Sequence, residues 1–163
     1  MKLVKGWAPG VIGGVAALHA LHYADSHGFG AFFEAKVARE LGEFLQRMDP
    51  ARDFFRAAMA QDGRVLGSIA LDTQDMPGVA HLRWFILDAS LRGQGLGRAW
   101  LVAALAAARR AGFTRCMLWT LDGLDAAAAL YAREGFVEAE RVVATQWGRT
   151  VTELRLEAAL VPM

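Results

Sequence analysis

The chain has 163 residues, 55% of them hydrophobic and 21% charged, and its formal net charge is +1 at pH 7. This length and composition predict one domain spanning residues 1–163, and they exclude a disordered chain or two full-size domains. Because the net charge is close to zero and the basic residues are scattered, the sequence predicts no nucleic-acid partner.

The N-terminal segment is similar to a secretory signal at first sight, because Met1 to Lys5 is basic and mainly apolar residues follow up to Leu21. His19 and His22 interrupt that apolar segment, and no small-residue cleavage site follows it. No stretch reaches the roughly 18 to 20 apolar residues of a membrane-spanning helix. The only cysteine, Cys116, cannot form an internal disulfide and is predicted to be inert core. We therefore expect a cytoplasmic protein without a membrane partner.

The first half of the chain predicts one strand, two helices and three strands, in that order. Phe33, Val37 and Leu41 recur at helical spacing between charged residues, and Asp49-Pro50 ends this amphipathic helix. Asp62-Gly63 favours a tight turn between antiparallel strands. The predicted elements are a strand from Lys2 to Trp7, a helix that Pro9 opens and that runs through Tyr23 to a break at Ser26-His27-Gly28, a helix from Phe33 to Met48, and strands at residues 53–60, 64–71 and 79–87.

The second half alternates helices with strands. A glycine-rich segment opens an Ala- and Leu-rich helix that ends at Arg109-Arg110, and Gly112 is its predicted left-handed cap. This order of elements predicts an α/β (α+β) protein with a mixed sheet and helices on both faces. The remaining predicted elements are a strand at 114–121, a helix at 124–134 capped by Gly135, a strand at 136–145, a turn at 147–149 and a final strand at 150–156.

The strongest local signal is the segment Arg92-Gly93-Gln94-Gly95-Leu96-Gly97-Arg98, which we call the glycine loop. It lies between the apolar strand Leu82 to Leu87 and a helix. The first N–H groups of a helix have no partner within the helix, and the helix dipole makes that end positive. Glycines let the backbone approach a bulky phosphate group, and the two arginines add positive charge. The glycine loop is therefore predicted to bind a diphosphate.

Other phosphate-binding loops fit the glycine loop less well. A nucleotide-binding P-loop needs a lysine, and none follows Lys36 in the sequence. The dinucleotide fingerprint fits in neither register, because its last glycine falls on Arg98 or Trp100. A glycine-rich turn without a ligand stays open as an interpretation, as does a nucleotide-phosphate binder of a different fold.

Two motifs in this half of the chain carry a family resemblance. Arg92, Gly95 and Gly97 match the form Arg/Gln-x-x-Gly-x-Gly/Ala, and Leu130-Tyr131 followed by Gly135-Phe136 lies on and after the next predicted helix. Both motifs resemble those of the GCN5-related N-acetyltransferases (GNATs), in which the first binds acetyl-CoA. The resemblance implies the GNAT fold, with a mixed, mostly antiparallel sheet of six to seven strands and helices on both faces.

The same resemblance implies an activity and the residues that carry it. A GNAT enzyme transfers an acetyl group from acetyl-CoA to a primary amine of a small molecule or peptide, by direct attack in a ternary complex and without a metal. The backbone of Phe85, Ile86 and Leu87 would hold the pantetheine arm of acetyl-CoA. The glycine loop would hold the pyrophosphate, and Tyr131 would protonate the departing thiolate as general acid.

The sequence departs from the family in two parts of the implied site. Many relatives carry a glutamate base on the fourth strand, where this chain has His81-Leu82-Arg83-Trp84-Phe85. Leu124 or Asp125 replaces the usual asparagine before the Leu-Tyr helix, so cofactor contacts at that helix do not follow from the resemblance. The candidates for the general base are Glu34, His22, His27 or a chain of water molecules.

The acceptor site is expected in the least regular part of the chain, from Gly6 to Phe33 and around Trp147. This region resembles the GNAT subgroup often fused to a MarR-type DNA-binding domain, although we predict no winged helix in these residues. A catalytically idle acyl-CoA sensor is the alternative function, and a homodimer is compatible with the resemblance. The aromatic residues that would form an apolar acceptor pocket, or else simply fill a core, are Trp7, Tyr23, Phe29, Phe32 and Phe33.

Overall fold

The computed structural model of this protein describes residues 1–161. These residues form four α-helices and a seven-stranded sheet with the strand order β1-β2-β3-β4-β5-β7-β6. The elements are β1 Lys2–Lys5, α1 Val11–His27, α2 Ala31–Arg47, β2 Phe54–Met59, β3 Val65–Asp72, β4 Ala80–Leu87, α3 Leu96–Arg110, β5 Arg115–Leu121, α4 Asp125–Arg133, β6 Val137–Ala144 and β7 Val151–Ala159.

The predicted fold class and the order of helices and strands are confirmed, although the bounds of several elements differ from the prediction. Helix α1 continues to His27, beyond the predicted break at Ser26, because Gly28 provides the left-handed cap with a φ of 70°. A single 3-10 turn, Ala89–Leu91, precedes the glycine loop. The final strand continues past its predicted end to Ala159, because it pairs with β5 as far as Arg115.

Hydrophobic clusters cover both faces of the sheet, because successive side chains of its central strands point alternately into one cluster and the other. In β3, Ile69 and Leu71 belong to one cluster, whereas Ala70 between them belongs to the other. Leu41 and Phe44 of α2 are fully buried in the cluster that α1 and α2 form with β1 to β3. Helices α3 and α4 cover the opposite face. The alternation follows from the two-residue period of a strand, and it fixes which side chains can face a site between β4 and β5.

An opening in the sheet positions that site. Over the full lengths of the two strands, β4 and β5 form only two ladder pairs, Ala80 with Cys116 and His81 with Met117. Beyond these pairs the two parallel strands separate. The sheet is therefore open between residues 83–87 of β4 and residues 118–121 of β5.

Helix α1 lies so close to the start of β3 that one position tolerates no side chain. A Cβ atom on Gly14 would overlap the side chain of Val65 and would lie 3.1 Å from its Cβ atom. Val65 is buried and β-branched, so its side chain has little freedom to move away. Gly13 precedes it in the same helix, and a Cβ atom there would have no neighbouring atom within 4 Å.

We expect Gly14→Ala to lower the free energy of unfolding by about 1–3 kcal/mol, because overpacking forces the surrounding structure to shift. Gly13→Ala is the matched control and should raise the free energy of unfolding by roughly 0.5–1 kcal/mol, because Ala loses less backbone entropy in a helix. Urea unfolding of the two variants measures the difference. Equal stability of the two variants would contradict the close helix-to-strand contact.

Candidate functional site

A cavity of about 510 Å³ lies between helices α1 and α2 and the opening of the sheet. Phe85 of β4, Leu121 of β5 and Tyr131 of α4 line it on the side of the opening. Residues of α1, α2 and the hairpin between β6 and β7 line the other side. The cavity therefore reaches from the helix-covered face of the sheet into the gap between the two strands.

Strand β4 is distorted where it lines the cavity. Ser68 of β3 is paired with Ile86 and Ala70 with Arg83, so Trp84 and Phe85 together oppose a single residue of β3. This is a β-bulge, which leaves one residue without ladder partners and bends the strand. Trp84 has a φ of 47° and is the only non-glycine residue with positive φ among residues 1–161. The Ser68 hydroxyl donates to the Trp84 carbonyl over 2.6 Å and holds the bulge in place.

The glycine loop follows β4 after the 3-10 turn Ala89–Leu91, and most of its residues are exposed. Gly93 and Gly95 have φ values of 74° and 78°, in the left-handed region that favours glycine. Nothing lies within 4 Å of a Cβ position at either residue, so both leave open space beside the backbone. Gly95 is the residue before the first turn of α3, and the free N–H groups of that turn lie beside this space. The loop thus has the donors, the room and the charge that a diphosphate requires.

Side chains of the loop fix its shape. The Arg92 Nε atom donates to the Leu87 carbonyl over 3.0 Å, and the Gln94 amide donates to the Ser90 carbonyl over 2.9 Å. Asp88 accepts hydrogen bonds from the backbone N–H and the hydroxyl of Ser90. Arg92 is thereby anchored to the end of β4, where its charge lies beside the loop. The Arg98 side chain is two-thirds exposed at the other end, with its Nε atom 3.5 Å from Glu134.

The glycine loop and the cavity are contiguous. At Gly97 a Cβ position lies 3.3 Å from Leu87, 3.7 Å from Phe85 and 3.9 Å from Leu130. The start of α3 therefore packs directly on the end of β4 and on the helix that carries Tyr131. The residues predicted to bind the cofactor and the predicted general acid therefore lie close together.

Tyr131 is a largely buried tyrosine of the site. Its ring is 7% exposed and makes edge contacts with Phe85 and Phe136, at centroid distances of 6.3 and 5.7 Å. Burial raises the pKa of Tyr131 above its ordinary value, with a smaller contribution from Tyr23 nearby. Among residues 1–161 no side-chain polar atom is both sealed from solvent and without a hydrogen-bond partner. Because its pKa is raised, the Tyr131 hydroxyl is protonated at neutral pH, and it lines the cavity.

His19 of α1 also lines the cavity and is fully neutral at neutral pH. Its Nδ1 atom lies 2.8 Å from the Val15 carbonyl, which can only accept, so Nδ1 carries the proton. Burial lowers the pKa of His19 to about 4. The other ring nitrogen, Nε2, is consequently a hydrogen-bond acceptor. In the sequence, His19 is notable only because it interrupts an apolar segment.

The three side chains predicted as candidate bases lie outside the cavity lining. Glu34 is exposed on α2, and His22 lines a separate pocket together with Arg92. His27 lies near the end of α1, with its ring 5.6 Å from that of Phe29. His19, Glu40 and Glu153 are the histidine and the carboxylates that line the cavity on its helix and hairpin side.

Glu40 lies in an ion-pair network on one wall of the cavity. It pairs with Lys36 over 2.5 Å and with Arg83. Arg83 belongs to the β4 segment His81 to Phe85, discussed above for the missing glutamate. Burial alone would raise the pKa of Glu40, but the two cations lower it below its ordinary value. Its charge is thus already balanced within the protein.

Part of the cavity lining is formed by aromatic rings that we call the aromatic wall: Tyr23, Phe29, Phe33 and Trp147. The ring centroids of neighbours in the wall lie between 5.1 and 6.0 Å apart. The Gly30 N–H donates to the Trp147 carbonyl over 3.0 Å and holds the β6–β7 hairpin against the connection between α1 and α2. Of the predicted pocket aromatics, Trp7 and Phe32 do not line the cavity and are 60% and 56% exposed.

The family model for the acetyltransferase (GNAT) family matches residues 15–136, more than half of the chain. The chain belongs to the GNAT family. The predicted family is thus confirmed, and membership implies acyl transfer with an acyl-CoA co-substrate. The resemblance to the MarR-associated subgroup stays a prediction. No curated protein sequence matches the chain.

Solved structures of other acetyltransferases share the fold. An acetyltransferase of the GNAT family from Staphylococcus aureus has a TM-score of 0.72 and 14% identity, covering 98% of this chain and 100% of that one. The ribosomal-protein-alanine N-acetyltransferase from Brucella melitensis has a TM-score of 0.72 and 17% identity, covering 96% and 99%. A variant of spermidine N-acetyltransferase from Vibrio cholerae has a TM-score of 0.65 and 16% identity, covering 98% and 95%.

Two further findings concern membranes and metals. None of the helices within residues 1–161 combines the length and the apolar character needed to span a membrane. Over the same residues, no group of three or more His, Cys, Asp or Glu side chains is arranged to hold a metal ion.

The neutral His19 of this GNAT chain makes stability depend on pH. Its pKa is about 4 in the folded protein and 6.5 ordinarily, so between these values the unfolded chain binds a proton that the native protein does not. Stability from this residue is therefore complete above pH 6.5 and is lost as the pH falls towards 4, by on the order of 3 kcal/mol.

We expect the difference in unfolding free energy between the wild type and His19→Gln to shift by on the order of 3 kcal/mol, against the wild type, from pH 7 to pH 4. Urea unfolding at a series of pH values measures this difference, because the other titrating groups are common to both proteins. A difference that stays constant over the series would show that His19 is not buried in the neutral form.

Proposed function

We propose that this GNAT protein is an acetyl-CoA-dependent N-acetyltransferase that acetylates a primary amine of a small molecule or peptide. One observation carries the proposal: the glycine loop, the unpaired part of β4 and Tyr131 adjoin one another along a single opening in the sheet. The loop suits a diphosphate, the strand edge suits an extended amide-bearing arm, and the tyrosine suits a leaving thiolate. Acetyl-CoA carries these three groups in that order.

The residues that would hold the cofactor follow from the free hydrogen-bonding groups of this region. The glycine loop would bind the pyrophosphate with the first N–H groups of α3, supported by the charges of Arg92 and Arg98. Ile86 and Leu87 pair with β3 on one side, and their other side faces the opening. The backbone of Phe85, Ile86 and Leu87 would therefore bind the pantetheine arm as an added strand would.

The bound cofactor would supply a thioester, whose carbonyl carbon is open to attack by a neutral amine. The bulge at Trp84 and Phe85 has a backbone N–H without a ladder partner, and such a group can stabilise the negative charge that develops on the carbonyl oxygen. Because the amine attacks directly, the protein needs no nucleophile of its own. This agrees with Cys116 being fully buried, with burial raising the pKa of its thiol to about 12.

The protons balance in two transfers. Formation of the C–N bond releases one proton from the amine, and breakage of the C–S bond requires one proton at the departing sulfur. Tyr131 would give its proton to the thiolate and be reprotonated from solvent through the cavity. His19 would accept a hydrogen bond from the amine, but its low pKa prevents it from storing the proton, so that proton passes to water.

For Tyr131→Phe we expect the kcat of acetyl transfer to fall at least ~100-fold, the usual contribution of a positioned general acid. The dissociation constant for acetyl-CoA should change less than about threefold, because the hydroxyl alone is worth little in ground-state binding. Thiol release with a panel of primary amines measures kcat, and calorimetry measures cofactor affinity.

Tyr23→Phe removes the only other tyrosine hydroxyl of the chain. A loss of kcat in this variant alone would contradict the assignment of the acid to Tyr131. If the wild type binds acetyl-CoA but releases no thiol with any amine, the chain is an acyl-CoA sensor, and the proposed enzyme activity is wrong.

Gly95→Val tests the glycine loop. We expect it to weaken acetyl-CoA binding by well over ~10-fold, because its Cβ atom and methyl groups would occupy the space beside the free N–H groups of α3. Gly63→Val is the matched control, since Gly63 also has a left-handed φ, 88°, and open space around it, in the turn between β2 and β3. Both variants carry the same backbone strain of about 1–2 kcal/mol. Equal affinities of the two variants for acetyl-CoA would contradict the proposed cofactor site.

A further inference from the structure

One carboxylate of the cavity has no cationic partner. Glu153 lies on β7, paired with Leu121 of β5 and with Val142 of β6. None of the ion pairs formed by residues 1–161 includes Glu153. Its Oε1 atom accepts a hydrogen bond from the indole N–H of Trp147 over 2.5 Å, and its Oε2 atom is left for another donor. The carboxylate is therefore oriented by the protein but not neutralised by it.

The other carboxylate of the cavity shows the contrast. Glu40 is neutralised by Lys36 and Arg83, so its charge is not available to a ligand. The Glu153 carboxylate lines the cavity without a cationic partner among residues 1–161, so it is free to interact with the charge of a ligand. A positively charged ligand would be attracted by this carboxylate, whereas an anionic ligand would be repelled. The charge distribution thus favours a cation at this end of the cavity.

The aromatic wall adds a second feature suited to a cation. Trp147 belongs to the wall and also donates to Glu153, so the ring edge and the carboxylate lie side by side. The faces of aromatic rings attract ammonium groups, most strongly where water is excluded. The bond between the Gly30 N–H and the Trp147 carbonyl fixes the wall in advance, which lowers the entropy lost on binding.

We propose that Glu153 and the aromatic wall bind a positively charged nitrogen carried on an apolar body, and that the acceptor is a small amine of this class, whose attacking nitrogen gives its extra proton to water before it attacks the thioester. The proposal rests on the proposed function in taking the cavity as the acceptor site. A cavity of about 510 Å³ matches the size of a small-molecule ligand. Glu153 is then the residue that selects cationic over neutral or anionic acceptors.

Benzyltrimethylammonium tests the proposal without depending on catalysis, because its nitrogen has no N–H and cannot be acetylated. We expect it to bind the full chain in a calorimetric titration and Glu153→Gln to weaken that binding at least ~10-fold, since charge and cation–π contacts act together. The Gln side chain keeps an acceptor for Trp147, so only the charge is removed. Phenylacetate, an anion of similar size, should bind at least ~10-fold more weakly than the cation.

Two further variants separate charge at this position from charge in general. Glu43→Gln makes the same change on the exposed face of α2, outside the cavity, and should leave cation binding unchanged. Glu153→Asp keeps the charge and should retain more affinity than Glu153→Gln, which also guards against a loss caused by misfolding. Absence of cation binding to the wild type, equal binding by Glu153→Gln, or equal binding of phenylacetate would each overturn the proposal.

Failure of this proposal and failure of the proposed function give different results. If the chain binds acetyl-CoA and acetylates amines but does not bind the cation, only the assignment of Glu153 is wrong. If it binds the cation through Glu153 but does not bind acetyl-CoA, the cation site stands and the proposed enzyme does not.

Discussion

The site depends on the loss of pairing between β4 and β5 after their first two residue pairs. Backbone N–H and C=O groups inside a sheet are normally paired, because an unpaired buried group costs free energy. The opening avoids that cost by admitting solvent to the strand edges through a cavity of about 510 Å³. The molecule thereby has a strand edge in the interior of its sheet, where a ligand can pair with it and another sheet cannot reach it.

The glycine loop and this opening arise from the same structural unit. Strands β4 and β5 are the only parallel pair within the sheet of residues 1–161, and helix α3 connects them. Every other neighbouring pair of strands is antiparallel. A parallel connection places the start of its helix at the carboxyl end of the first strand. That is also the end at which β4 and β5 have separated. The anion-binding start of α3 and the free edge of β4 therefore lie side by side as a direct result of the parallel connection.

The parts of the molecule that follow from local pattern could be predicted from the sequence. Helical spacing in α2, the turn residues Asp62-Gly63 and the glycine loop each depend on residues close together in the chain. The bulge at Trp84 could not be predicted, because it depends on the register between β3 and β4. For the same reason the sequence did not indicate Glu153, whose surroundings are set by the neighbouring strands and the hairpin.

The histidines of α1 show the limit of composition as a guide to a site. The prediction selected His22 and His27, whereas the structure places His19 in the cavity. Around the helix, Tyr23 lies roughly 40° from His19 on one side and His22 roughly 60° from it on the other, so His22 is about 100° from Tyr23 and points away from the cavity side. Which face of α1 meets the sheet is decided by packing at Gly14 and Val15, and the concentration of histidines does not report it.

At Gly148, the β6–β7 hairpin and the connection from α1 to α2 meet backbone to backbone. Gly148 has a φ of 102°, and a Cβ atom there would lie 3.2 Å from the Gly28 carbonyl oxygen and 3.4 Å from the Gly30 nitrogen. At this point, two segments that are far apart in the chain touch with no side chain between them that could move to accommodate a larger residue. Substitutions in the two segments should consequently be coupled in evolution. A lineage that places a larger residue in one segment must change the other segment to keep this side of the cavity closed.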